Sequence, residues 1–117
     1  MTKEEFEYKV TQHSQMFDTS LVFAANALAG EVGELCNIPK KMVYYYHFST
    51  YQTRVDKEVA EGKRPSHDEM LVDEAGDVLF YLTQVLQRAG HTLEECMEMQ
   101  SLKLEEQGKK FNKTFVK

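Results

Sequence analysis

The chain has 117 residues, 42% of them hydrophobic, with 14 basic and 19 acidic side chains and a net charge of −5 at pH 7. That length supports one hydrophobic core but not two, so a single soluble domain spanning residues 1–117 is expected. The acidic balance excludes a broad basic surface for nucleic acid. No uninterrupted run approaches the ~18 apolar residues of a bilayer crossing, so a cytoplasmic chain with no membrane partner is expected.

The first element in chain order follows Thr2 and Glu5, which have capping-box spacing and open a helix to about Phe17. Asp18, Thr19 or Ser20 can cap the second. Its apolar residues Leu21, Val22, Phe23, Ala24, Ala25, Ala27, Leu28 and Ala29 cover most of its circumference, the mark of a helix buried on several sides. This helix is expected to run through Glu31, Glu34 and Leu35 toward Lys41 and to be kinked or interrupted at Pro39, which lacks a backbone donor.

From His47 to Pro65 the pattern weakens into an aromatic and then charged stretch, with a short extra helix expected around Thr53 to Glu61. Ser66 with Glu69 opens the next helix, which Gly90 ends, and Thr92 with Glu95 opens a last one toward Gly108. No segment alternates like a strand. The expected fold is all-α, a bundle of four to five helices. Cys36 and Cys96 belong to no CxxC or Cys/His cluster, which argues against a disulfide framework or a zinc site.

The informative feature is two acidic doublets inside the most apolar helices. Glu31 and Glu34 sit within AANALAGEVGELC, and Glu74 and Asp77 within MLVDEAGDVLFYL. A spacing of three residues puts both members of a doublet on one helix face. Like charges so placed repel, and a buried unpaired carboxylate costs several kcal/mol, on the order of 3–5. Something positive should offset them. Gly30, Gly33 and Gly76 beside the acids each cost about 0.8–1 kcal/mol of helix propensity. Such losses are understandable if the two helix backbones approach closely and bring the doublets face to face. Four carboxylates with no histidine at the i+3 positions make an all-oxygen donor set, suited to Mg²⁺, with Mn²⁺ an acceptable substitute, rather than zinc. Asp73 is a further acid beside the set. Without the four acids, the remaining charges of the chain nearly balance.

At these residues the sequence resembles the all-α nucleoside triphosphate pyrophosphohydrolases of the MazG-like group, with their ExxE…ExxD metal motif. The matching stretches are LAGEVGEL and DEAGDVLFYL. The resemblance implies a Mg²⁺-dependent enzyme that hydrolyses a (deoxy)nucleoside triphosphate to the monophosphate and pyrophosphate, in nucleotide-pool housecleaning. It implies Glu31, Glu34, Glu74 and Asp77 as metal ligands, with Glu34 the catalytic residue that orients the attacking water. It also implies substrate contacts from Lys41, which follows Lys40 in a basic pair, from Lys103 in QSLKL, and from Tyr81 one turn beyond Asp77. A homodimer or homotetramer is implied as well. Two departures stand out: the stretch between Glu34 and Glu74 is long, so an insertion is expected at 47–66, and Pro39 falls where relatives continue a helix.

The aromatic run Tyr44, Tyr45, Tyr46, His47 and Phe48, with His13 and Phe17, offers packing or base-stacking surface without naming a base. The alternative to an enzyme is a non-catalytic helical module whose acids bind a cation or a basic partner. A ferritin-like metal oxidase would want Glu-x-x-His on two helices, and none is present.

Overall fold

The computed structural model describes residues 1–17 and 20–114, the last three of these as backbone. It is all-α: α1 (Lys3–Met16), α2 (Leu21–His47), α3 (Ser49–Ala60), α4 (His67–Arg88) and α5 (Leu93–Thr114) follow one another, with no strand among the described residues.

The helix starts follow the local signals. The Thr2 hydroxyl accepts from the Glu5 amide at 3.1 Å, Ser66 from Glu69 at 3.1 Å and Thr92 from Glu95 at 3.2 Å, each satisfying an orphan donor of the first turn. Ser20 caps α2 through the Phe23 amide at 3.1 Å. The other expected caps there, Asp18 and Thr19, lie outside the described residues. At the end of α4, Gly90 takes φ +84°, while the His91 amide donates to Leu86 at 2.8 Å and the Gly90 amide to Gln87 at 3.1 Å. This is a Schellman stop, and Gly62 (φ +71°) closes α3 in the same way.

Four expectations need correction. Pro39 does not break α2, which runs unbroken from Leu21 to His47. The burial pattern continues across it, with Ala24 and Ile38 buried before it and Met42 and Tyr45 half-buried after it. Packing along that face outweighs the local cost of about 3 kcal/mol, and Pro39 itself is exposed. The extra helix α3 begins at Ser49, earlier than expected, and its N-cap Phe48 makes no side-chain cap bond, which is why no local signal marked it. α5 continues past Gly108 to Thr114. Finally, α2 is long and apolar enough by length and composition to cross a membrane. It is nonetheless interrupted near its middle by Glu31 and Glu34, and an acidic side chain at the centre of a bilayer-spanning helix costs about 2.5–3.5 kcal/mol.

The helices group into two compact units. The first, Met1–Thr19 with Thr83–Lys117, holds α1, the end of α4, and α5. In it the Gln84 amide donates to the Ser14 hydroxyl at 2.8 Å, the Gln87 amide donates to the Glu7 carbonyl at 3.0 Å, and a Glu7 carboxylate oxygen accepts from the Leu93 amide at 3.3 Å. Val10 and Leu93 are buried there. The second unit, Ser20–Leu82, holds α2, α3 and most of α4, with Ala24, Ile38, Val55 and His67 buried. It contains all four motif acids.

Candidate metal centre

Seen along α2, Glu31 shares the inward face with Ala24, Ala27, Leu28, Leu35, Ile38 and Met42, all buried or half-buried. On α4, Glu74 shares its face with His67, Met70, Leu71 and Val78. The apolar periodicity that buries these faces therefore carries the carboxylates inward with it.

Glu31, Glu74 and Asp77 each offer a carboxylate oxygen, and these atoms lie within 4.8 Å of one another. One oxygen of Glu31 and one of Glu74 are buried without any hydrogen-bond partner. Among the described residues none of the four motif acids forms an ion pair. Burial pushes the Glu31 carboxyl above its ordinary value, with Glu34, Asp77 and Glu74 adding like-charge repulsion in that order. Burial is also the main cause for Glu74, followed by Glu34, Asp77 and Asp73.

Glu34 is exposed and stands outside the close triad. It still lies near enough to Glu31 and Glu74 to repel both and to hydrogen-bond with either when one carboxyl holds the proton. Of the expected substrate residues, Lys41 is exposed on α2, and its charge is felt at His67 on α4. Tyr81 is half-buried, with its ring edge-on to Phe80 at 5.0 Å. Lys103 is exposed on α5, in the first unit.

The glycines beside the acids do not mark a close approach within this chain. A Cβ built at Gly30, Gly33 or Gly76 would meet nothing within 4 Å, and all three are exposed. They lie on the outer sides of α2 and α4, away from the carboxylates.

A feature not anticipated from sequence is the environment of His67, the first residue of α4. Only 7% exposed, its Nε2 lies 3.2 Å from the Tyr51 hydroxyl and 3.4 Å from Arg64 Nη2. Burial, then Arg64 and Lys41, push its pKa below the ordinary value. Along α4, His67 precedes Glu74 by two turns on the same face.

No protein-family model, curated protein or solved structure matches the chain.

Proposed function

We propose that the chain is a Mg²⁺-dependent nucleoside triphosphate pyrophosphohydrolase of the MazG-like type, releasing a (deoxy)nucleoside monophosphate and pyrophosphate. The observation that carries this is the convergence of Glu31, Glu74 and Asp77 within 4.8 Å, with buried carboxylate oxygens left without partners. A buried carboxylate oxygen without a partner is unfavourable, and a cluster of like charges adds repulsion. A hard divalent cation relieves both, and an all-carboxylate set suits Mg²⁺ or Mn²⁺.

Glu31, Glu74 and Asp77 would hold the cation, with Glu34 beside them. When bound, the cation neutralises phosphate charge, polarises the phosphorus centre and lowers the pKa of bound water. Glu34, being exposed, is the carboxylate free to orient water and accept its proton. Lys41 and Tyr81 are the proposed contacts to the substrate from this unit, and Lys103 remains a contact that the motif resemblance implies. The acidic balance fits a free nucleotide as substrate rather than nucleic acid or a membrane surface, with the cytoplasm as the setting.

The active form is proposed to be a homodimer or homotetramer. The outer side of α2 presents Val22, Ala25, Ala29, Val32, Cys36 and Val43 at helical spacing, all exposed, and Val72 on α4 is 73% exposed. An apolar face of this kind, on helices that are also apolar inside, fits burial against a second copy.

The test is incubation with Mg²⁺ and a panel of nucleoside triphosphates, with pyrophosphate and monophosphate both measured. Stoichiometric release of the two products supports the proposal. No cleavage of any triphosphate by correctly folded protein overturns it and favours a cation-binding module.

A further inference from the structure

The second unit contains a cavity of about 360 Å³ between the C-terminal part of α2, α3 and the start of α4. Its wall includes Tyr45, Tyr46, Val55, Asp56, Val59 and His67. The mixture of aromatic and aliphatic walls with a few polar groups is that of a small-molecule pocket. Its α3 wall comes from the long stretch between the two acidic motifs.

The polar groups have defined roles. A guanidinium can only donate, so Arg64 at 3.4 Å makes His67 Nε2 an acceptor and leaves the ring proton on Nδ1. The Tyr51 hydroxyl, 3.2 Å away, donates to the same nitrogen. Tyr51 and Arg64 are not on the cavity wall, whereas His67 is, and Nδ1–H is the ring donor that these two contacts leave for a ligand. Nothing among the described residues hydrogen-bonds to Nδ1. Asp56 holds the Tyr45 hydroxyl at 2.8 Å through Oδ1, which leaves its other oxygen as an acceptor on the wall. The Tyr45 ring stands edge-on to His67 and to Tyr46, each with ring centres 5.4 Å apart.

We infer that this cavity binds a nucleobase presenting a ring carbonyl beside a ring N–H, with His67 Nδ1–H donating to the carbonyl, the Asp56 carboxylate accepting the N–H, and Tyr46 packing on the ring. The inference rests on the proposed nucleotide substrate and names the part of it this pocket reads. His67 and Glu74 lie on one face of α4, about 10 Å apart along the axis, and Met42 and Tyr45 share the α2 face of Glu31 and Glu34. A nucleotide whose phosphates reach the carboxylates therefore runs along α2 and α4 with its base toward the cavity. Uracil, thymine, guanine and hypoxanthine carry the required edge, and adenine does not.

The experiment measures binding of uridine, inosine and adenosine to the full chain by calorimetry, without phosphate groups and with chelator present, so that neither the metal site nor catalysis contributes. Uridine or inosine is expected to bind at least tenfold more tightly than adenosine. Tyr46→Ala, a change at a side chain 74% exposed, should weaken that binding at least tenfold while leaving Mn²⁺ affinity unchanged. Asp56→Asn should weaken it as well. Absence of nucleoside binding, equal binding of adenosine, or binding unaffected by Tyr46→Ala overturns the inference. Triphosphate cleavage with such a result would leave the proposed activity standing, and selective nucleoside binding without cleavage would do the reverse.

Discussion

Glu31 on α2 and Glu74 on α4 each bury a carboxylate oxygen that no donor meets, and the two side chains share one close cluster with Asp77. Two anionic groups from different helices are held together with no positive partner among the described residues. In the proposed reading this arrangement weakens the metal-free protein, and a divalent cation relieves it.

Removing either charge should therefore stabilise the metal-free protein. Glu31→Gln or Glu74→Gln is expected to raise the melting temperature in chelator by a few degrees, because repulsion and carboxylate desolvation both disappear. The same variants should lose most of the stabilisation that Mg²⁺ or Mn²⁺ gives the wild type. Thermal melts with and without metal check both parts. A wild type that melts at the same temperature in chelator and in millimolar Mn²⁺ would contradict the account.

The pH dependence has a definite sign. Glu31 and Glu74 have folded-state pKa values raised above their ordinary value of 4.5, so the folded chain binds more protons than the unfolded chain as pH falls toward that value. These two groups should make the metal-free protein more stable on acidification from neutral pH toward 4.5. His67 acts oppositely. Its folded pKa lies below 6.5, so its contribution is complete above pH 6.5 and declines as pH falls further. Replacing both glutamates with Gln should remove the stabilisation that they give on acidification and keep the His67 contribution, a difference read by chemical denaturation of wild type and variant across pH 4.5 to 7.5. Metal affinity should fall on acidification, since protons and the cation compete for the same oxygens.

Self-association is expected to depend on the outer side of α2. Val32 is 42% exposed and lies on the same stripe as Ala25, Ala29 and Cys36. Sedimentation of the wild type at micromolar concentration should give a dimer or tetramer, and Val32→Glu should shift it toward monomer. A monomeric wild type would contradict this part of the proposal.

Gly90 should tolerate no side chain without cost. Its φ of +84° is a conformation in which an L-residue loses about 1–2 kcal/mol. Gly90→Ala is expected to destabilise the chain by about that amount in urea unfolding, although a Cβ there meets no neighbour within 4 Å.

Much of the helical order was legible because caps and stops are local. Thr2, Ser66 and Thr92 each sit three residues before a glutamate, and each accepts that residue's amide. The interruption expected at Pro39 does not occur, because its penalty is local while the burial of Ile38, Met42 and Tyr45 comes from other elements. The start of α3 was hidden because Phe48 offers no capping side chain. For the site, helical periodicity alone put each acidic doublet on one face. The meaning of Gly30, Gly33 and Gly76 was not local, and they lie on the open side. His67 escaped notice because its partners Tyr51 and Tyr45 come from other helices, contacts that no spacing along α4 encodes.

The central claim is that the carboxylates of α2 and α4 form one divalent metal site serving triphosphate hydrolysis. Titration of Mn²⁺ into the full chain, followed by electron paramagnetic resonance, tests it most directly, with hydrolysis measured on the same samples. The account predicts saturable binding in the wild type, loss of that binding in Glu74→Gln, and a fall in hydrolysis of about 100-fold or more, since cation stabilisation is worth several kcal/mol and each 1.36 kcal/mol is tenfold in rate. Unchanged Mn²⁺ binding and hydrolysis in Glu74→Gln would contradict it.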